Sequence, residues 1–278
     1  MWYNIYCKIY RLVVCKMAKV HIFIDGSWLY KVCVAGDVLA RDLVYPRFFK
    51  LDFAKLQQLI LQHLSSVNPD CTEIGDCYNV TSIFNIPADF DNWVGRPMTG
   101  GKYINQGNIN RTKDEVAKRE SFANDAITAG FNSDTILRVN LKEWMVDRLI
   151  EGRFQEKQVD TTVVAMLVKY AITKHDDYFA VIAGDADILP AINIAYPEFT
   201  KNVCLVTTHP DEMDASRRQT SFSYTQYAFS ISPLYLQQHV KEVMSGNNVY
   251  QCVNCRKLFS TNNPISAHLQ PHCKKCRP

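Results

Sequence analysis

Short apolar runs alternate with helix-like segments along most of the chain. Five runs rich in β-branched and aromatic residues have the length and composition of strands. They cover residues 20–24, 78–86, 135–141, 178–183 and 203–207. Segments with apolar residues at helical spacing predict helices over 53–64, 112–130, 160–173 and 188–196.

The predicted strands hardly alternate between apolar and polar residues. Runs of this kind are typical of parallel strands whose two faces are both covered by helices. We therefore expect an α/β fold with three layers, α/β/α, around a mainly parallel central sheet. Residues 87–111 have no periodicity and predict a long loop or lid, a kind of segment that is more often functional or mobile than structural.

Three units are predicted along the chain. Residues 1–17 form an N-terminal extension, 18–244 the α/β domain and 245–278 a small C-terminal module. The Ser-Gly-Asn-Asn stretch at 245–248 is a natural linker between the last two units. With 278 residues and 47% apolar content, the chain can bury a substantial core.

Charge is spread unevenly. The formal net charge is +3, but residues 241–278 contain six Lys and Arg against one acid, so the rest of the chain is slightly acidic. Composition alone therefore does not indicate a nucleic-acid-binding protein, whereas the basic tail favours a negatively charged partner.

The ten cysteines fall into two groups. Four cluster near the C-terminus, and the others are scattered, several of them in apolar runs: Cys7, Cys15, Cys33, Cys71, Cys77 and Cys204. This usage is typical of a reducing, cytoplasmic protein. Lys8 and Arg11 interrupt the apolar N-terminal stretch, which argues against a secretion signal. No uncharged run approaches the roughly 18 to 20 residues of a membrane span, so no membrane partner is expected.

Acidic residues stand where two predicted strands end and one predicted helix begins. Asp25 follows 20–24, Asp185 and Asp187 follow 178–183, and Asp160 opens the helix at 160–173. The carboxyl ends of parallel strands meet at one edge of a sheet, where ligands bind. Gathered carboxylates repel one another unless a divalent cation neutralises them, and Mg²⁺ or Mn²⁺ prefers such oxygen ligands. A metal there can activate water for attack on a phosphodiester.

Each acid also has a structural interpretation. Asp25 before Gly26 is a common turn pair. Asp160 can cap its helix, and Asp187 can cap the helix that contains Pro190. Capping accounts for only one residue of the Asp185 and Asp187 pair.

Three stretches together resemble one known family. They are "FIDGSWLYK" at 23–31, "EKQVDTTVVAMLVKYA" at 156–171 and "VIAGDADILPAI" at 181–192. In this order they are similar to the NYN domain family, a branch of the PIN-like nucleases, over roughly 18–235. The resemblance implies a PIN-like α/β/α fold and metal-dependent RNA cleavage. By position it implies Mg²⁺ or Mn²⁺ ligands at Asp25, Asp160, Asp185 and Asp187.

The first motif departs from the family pattern at Trp28, where members of the NYN domain family often have Asn. Ser27 can offer a polar group instead, and Trp28 either stacks on a base or belongs to the core. Lys157 is predicted to share a helical face with Asp160 and to contact a phosphate. Its alternative is a solvated lysine paired with Asp160 or with Glu156, which could itself add to the acidic site.

The C-terminal cysteines have the spacing of zinc ligands. Cys252-x2-Cys255 and Cys273-x2-Cys276 are separated by 17 residues, and each pair can place two thiolates on one side of a tetrahedron. A second ligand set replaces the last two cysteines by His268 and His272. Pro271 would then lie inside the ligand-bearing helix, so four-cysteine ligation is favoured.

Basic residues surround the predicted zinc ligands: Arg256, Lys257, Lys274, Lys275 and Arg277. Such a group can bind phosphates without reading sequence. The alternative is a zinc-stabilised protein-interaction module whose lysines are merely solvated.

These features favour a cytoplasmic metal-dependent endoribonuclease, with single-stranded or structured RNA as its substrate. Two alternatives stay open at this point. One is a PIN-like scaffold that binds RNA or protein without cutting, and the other is a structure-specific DNA nuclease, because fold does not determine substrate. The sequence also leaves homo-oligomerisation open.

Overall fold

A six-stranded sheet forms the centre of the molecule. The computed structural model describes residues 18–45, 47–98, 101–152, 157–184, 188, 190, 202–208 and 230–277. The strands of this sheet are β1 Ala18–Asp25, β2 Cys71–Asn85, β3 Ile136–Asn140, β4 Tyr178–Ile182, β5 Val203–Thr207 and β6 Leu234–Tyr235. Their order is β3-β2-β1-β4-β5-β6, and every pair is parallel.

Helices connect β1 to β2, β2 to β3 and β3 to β4, as parallel pairing requires. They are α1 Gly26–Val32, α2 Phe53–Val67, α3 Gln106–Thr128, α4 Glu143–Ile150, α5 Lys157–Thr173 and α6 Val240–Val243. Short 3₁₀ turns occupy Phe90–Trp93, Ser133–Thr135 and Leu236–His239. Asparagine and aspartate side chains cap the starts of α1, α2 and α3, where unpaired backbone N–H groups need acceptors.

Alternate residues of β1 face two different apolar layers. Val20, Ile22 and Ile24 pack with α1 and α2 on one face of the sheet. Phe23 packs on the other face with Val159 and further apolar residues of α5. The predicted three-layer α/β/α fold with a parallel sheet is therefore confirmed, and burial on both faces explains why the strand sequences do not alternate.

The predicted elements are largely present. All five predicted strands occur, and so do the helices predicted over 53–64, 112–130 and 160–173. The predicted helix at 188–196 lies mostly outside the described residues, although Ile188 and Pro190 are helical. The predicted extension at 1–17 lies entirely outside the described residues, and β1 begins at Ala18. Helices α1, α4 and α6 and strand β6 were not predicted.

The segment 87–111 is more structured than a loop or lid. Helix α3 begins at Gln106, since Asn105 and Asn108 form a reciprocal capping box with each other's backbone N–H groups. Phe90 and Trp93 are buried in a third apolar cluster between β2, α3 and α4. These anchors hold the described part of the segment against the domain. The prediction of a long loop or lid is wrong for 106–111, which belong to α3, whereas 87–98 and 101–105 form an irregular connection that includes the 3₁₀ turn Phe90–Trp93.

Strand β2 begins seven residues before its predicted start at 78. Its first part pairs with β1 through irregular register. Gly75 lies there against the ring of His21, since a Cβ atom at Gly75 would stand 2.6 Å from Cε1 of His21. The glycine and the acids of this part break the apolar pattern, although the backbone continues as a strand.

Candidate functional site

The direction in which successive strands are added to the sheet reverses between β1 and β4. Strands β2 and β3 lie on one side of β1, whereas β4, β5 and β6 lie on the other. In open parallel sheets a crevice forms at the carboxyl ends of the two strands beside such a reversal, and ligands bind there. Asp25 ends β1 and Gly184 follows β4, so the two residues border this crevice.

Asp25 is buried, with 5% of its surface exposed, and its backbone is the N-cap of α1. Its Oδ1 atom accepts a hydrogen bond from the backbone N–H of Trp28 at 3.0 Å. Gly26 lets α1 start directly on β2, because a Cβ atom there would overlap Asn79 and lie 2.8 Å from Cβ of Thr81. The acid is thus a helix cap as well as a candidate metal ligand.

Asp160 lies in the first turn of α5 and is partly exposed. The helix begins at Lys157, so Asp160 is inside it and is not its N-cap. Helix α5 leads into β4 through residues 174–177 at the amino edge of the sheet, and a helix of this length spans about 25 Å. Its first turn therefore lies toward the carboxyl edge, where Val159 packs in one cluster with Phe23 and Ala183.

The remaining predicted acids cannot be described. Asp185 and Asp187 lie outside the described residues, as does Glu156, and the side chain of Lys157 is also outside them. The shared cation site of Asp25, Asp160, Asp185 and Asp187 therefore stays a prediction.

Trp28 fills part of the crevice. Its side chain is partly buried against the cluster that contains Ile24 and Leu29. Its indole ring also lies against Gly184, where a Cβ atom would overlap it. Trp28 thus packs with the core, which was one of its two predicted roles.

Two buried polar atoms near α1 have no hydrogen-bond partner among the described residues. They are Oγ of Ser27 and Oδ1 of Asn79. A buried polar atom without a partner costs about 1 to 3 kcal/mol, so such atoms commonly mark a place where water or a ligand binds. The Asp25 carboxylate and the Ser27 hydroxyl are both oxygen donors, the type of ligand that a hard cation prefers.

A second polar cluster lies at the opposite, amino edge of the sheet and was missed in the sequence. His21 is fully buried in β1; its Nε2 atom is 3.1 Å from Oδ2 of Asp177, and its Nδ1 atom accepts from the backbone N–H of Asp76. Tyr170 and Lys174 donate to the carboxylate of Asp76. The only sequence signal was a histidine inside an apolar strand.

Electrostatics in this cluster favour neutral His21. Burial lowers the pKa of His21, against the opposing hydrogen bond with Asp177. The hydrogen bond from Lys174 lowers the pKa of Asp76, and burial raises the pKa of Tyr170. These shifts favour neutral His21, ionised Asp76 and protonated Tyr170, which indicates a structural network.

The four C-terminal cysteines converge. A β-hairpin of β7 Asn248–Gln251 and β8 Leu258–Thr261 carries the first pair in its turn. The sulfur atoms of Cys252, Cys255, Cys273 and Cys276 all lie within 4.8 Å of one another. Tetrahedral zinc with Zn–S bonds of about 2.3 Å separates its sulfurs by about 3.8 Å, and the Sγ atoms of Cys255 and Cys273 are 3.9 Å apart. These four residues are therefore positioned to bind a metal ion such as Zn²⁺.

Local hydrogen bonds shift the pKa values of two of these thiols in opposite directions. Backbone N–H groups, first that of Cys255, lower the pKa of the Cys252 thiol to about 6, which favours the thiolate. Hydrogen bonds with the neighbouring sulfurs, first that of Cys273, raise the pKa of Cys276 to about 12. Neither His268 nor His272 belongs to the group, so the geometry supports four cysteines over two cysteines and two histidines.

The cysteine module packs directly on the α/β domain. Val44 donates a backbone hydrogen bond to Leu258 O, and Leu258 donates one to Asp42 O. Leu258 is buried in the main core. Ser245, in the predicted linker, donates to Lys50 O, so the module is joined to the domain by contacts on both sides of its hairpin.

The basic residues predicted to bind nucleic acid all lie on the exposed surface of this module. They are Arg256, Lys257, Lys274, Lys275 and Arg277. Arg256 has a left-handed backbone, with φ of 60°, in the turn that carries the cysteines. A side chain in this conformation costs roughly 1 kcal/mol or more, and here the turn geometry imposes it.

No described helix is both long and apolar enough to cross a membrane. Comparison of the chain with protein-family models, curated proteins and solved structures finds no match.

Proposed function

We propose that the protein is a metal-dependent endoribonuclease that hydrolyses RNA phosphodiester bonds. The observation that carries this proposal is the location of Asp25, a buried carboxylate at the carboxyl end of β1, beside the reversal in strand order. Helix α5 directs its first turn, with Asp160, toward the same edge. A buried acid such as Asp25 at a crevice of this kind suits a hydrolytic site better than a purely structural role.

Four acids would hold the cation: Asp25, Asp160, Asp185 and Asp187. Mg²⁺ or Mn²⁺ at such a site supplies polarisation of the phosphate and activation of water. Among these acids Asp25 is held in a fixed position, since it is anchored through its bond to Trp28 N–H. Lys157 would bind a phosphate oxygen beside them, and Ser27 would offer its hydroxyl.

The zinc module would bind the RNA outside the cleavage site. Its exposed cations can neutralise phosphates of a strand without selecting a sequence. RNA is the proposed substrate ahead of DNA, on the strength of the resemblance of three motifs to RNA-cleaving proteins.

A second candidate function is an RNA- or protein-binding scaffold that does not cut. One observation favours it: the indole of Trp28 lies against Gly184 and takes up space in the crevice. In this function the acids would serve as caps and the zinc module would still bind a partner.

A cleavage assay separates these functions. Labelled single-stranded RNA and DNA are each incubated with zinc-loaded protein, with and without added Mn²⁺. The endoribonuclease cuts RNA only when Mn²⁺ is present, and the scaffold cuts neither strand. DNA cut in preference to RNA would favour a DNA nuclease. The variant Asp185→Asn/Asp187→Asn is the control, because activity that survives this change belongs to a contaminant.

A further inference from the structure

The zinc module and the segment 41–50 form a single exposed surface, which we call the composite basic surface. Its members are exposed cations and one exposed tyrosine from two distant parts of the chain. They are Arg41, Tyr45, Arg47, Lys50, Arg256, Lys257, Lys274, Lys275 and Arg277.

Specific contacts hold the two parts together. Lys257 Nζ donates to the backbone carbonyl of Arg41 at 3.5 Å. Lys275 Nζ lies 4.8 Å from the centre of the Tyr45 ring, a cation–π distance. The backbone bonds between Val44 and Leu258 lie beneath these side chains. Lys257 and Lys275 of the module therefore lie beside Arg41 and Tyr45 of the segment 41–50.

The charge of this surface is almost entirely positive. Residues 251–277 contain no acid, and Asp42 is the one acid between 41 and 50. Asp42 is exposed, and its single negative charge stands against the eight Lys and Arg residues of the surface. The negative charge of Asp42 thus reduces the positive potential of the surface only slightly. A surface with such a potential attracts a polyanion.

The chemistry of the surface favours a nucleic acid over a protein. Centres of protein interfaces are apolar and depleted in lysine. Here lysines and arginines predominate, and the exposed large apolar side chains among the described residues of this surface and its module are only Tyr45 and Leu269. Tyr45 is 40% exposed and Lys275 lies over its ring, so a base would stack on the part of the ring that Lys275 leaves open. Only an unpaired base offers its face in this way.

We propose that the composite basic surface binds single-stranded nucleic acid, with its phosphates on the cations and a base on Tyr45. This inference extends the proposed function by assigning a binding path to the RNA, in which the segment 41–50 and Tyr45 participate. Strand binding requires no cleavage, so the two proposals can be tested separately.

The test is fluorescence anisotropy of a short labelled single-stranded RNA with zinc-loaded protein, without added Mg²⁺ or Mn²⁺. Lys257→Ala/Lys275→Ala is expected to reduce the slope of log affinity against log salt by about 1.4, since each lost phosphate contact removes about 0.7. Tyr45→Ala is expected to weaken binding about fivefold or more, and Tyr45→Phe to retain it.

The matched control is Lys118→Ala/Lys169→Ala, which removes the same charge from exposed positions on α3 and α5. It is expected to leave the slope nearly unchanged. Equal slopes for the two double variants, with zinc content intact, would overturn the proposal. It would also be overturned if a polyglutamate peptide or anionic vesicles competed as well as unlabelled RNA does.

The outcomes for the two proposals can be distinguished. RNA cleavage by a protein whose composite-surface variants bind normally defeats this inference alone. Tyr45-dependent binding by a protein that never cuts RNA or DNA defeats the nuclease proposal alone.

Discussion

The indole ring of Trp28 packs on the backbone of Gly184. The first residue belongs to α1, which follows β1, and the second follows β4, so the contact bridges the two strands at the reversal of the sheet. A side chain at position 184 would overlap the ring. The observed position of Trp28 therefore requires glycine at position 184.

Gly184→Ala should therefore destabilise the protein. The added methyl group forces Trp28 out of its position, and overpacking of this kind typically costs about 1 to 3 kcal/mol. Urea unfolding measures the loss, and tryptophan fluorescence should report the moved ring.

Trp28→Leu provides the control, because it removes the ring that the methyl group would meet. In that background Gly184→Ala should cost much less. An equal cost in both backgrounds would mean that the two residues do not touch.

Asp25→Asn separates the charge of this residue from its capping role. The asparagine oxygen can still accept the Trp28 N–H bond, so the free energy of unfolding should change by less than about 1 kcal/mol. Loss of the carboxylate should lower Mn²⁺-dependent RNA cleavage by about 100-fold or more if the acid holds the cation. Cleavage rates and urea unfolding of the same preparation check both expectations, and full activity in a stable variant would remove Asp25 from the site.

His21 should make stability depend on pH. Its folded-state pKa is lowered from the usual value of about 6.5, mainly by burial, so the unfolded chain takes up the proton at a higher pH than the folded chain. The stabilisation is complete above pH 6.5 and falls as pH drops from 6.5 toward the folded pKa, by at most about 1.4 kcal/mol per pH unit.

Urea unfolding at a series of pH values between 7.5 and 5 measures this slope, roughly spanning the range in which histidine titrates. The comparison protein is His21→Gln, which lacks the titrating ring near Asp76, Asp177 and Lys174. It should be less stable at pH 7.5 but less sensitive to acid. Identical slopes for the two proteins would place the acid sensitivity elsewhere.

Zinc should be bound by the cysteines and not by the histidines. Cys273→Ser removes one of the four converging sulfurs, so zinc content should fall well below one ion per chain, whereas His268→Ala should retain it. Elemental analysis of the purified proteins measures this. Full zinc content in the Cys273 variant would contradict four-cysteine ligation.

Removal of the ion should also loosen the segment 41–50. The module contributes Leu258 to the main core and backbone bonds to Asp42 and Val44, all of which depend on the folded hairpin. Hydrogen exchange of the amides of Val44 and Leu258 should therefore increase in the metal-free protein.

The fold class could be predicted from local patterns. Strands such as Tyr178–Ile182 are apolar at every position or nearly so, and this composition requires helices on both faces of a parallel sheet. The four-cysteine site could also be predicted from the sequence, because two C-x2-C turns limit where the sulfur atoms can lie. The starts of two elements could not be predicted. Helix α3 begins before its predicted start because Asn105 and Asn108 cap it. Strand β2 begins before its predicted start, although the apolar pattern is interrupted at Gly75.

The sequence by itself determined the parallel α/β fold and the cysteine site, since both follow from spacing along the chain. Only the tertiary structure decided that Trp28 packs on Gly184, that His21 pairs with Asp177, and that Tyr45 meets Lys275. Each of these pairs joins residues more than 150 positions apart. Such contacts depend on strand order and on the docking of one unit on another, which no local periodicity encodes.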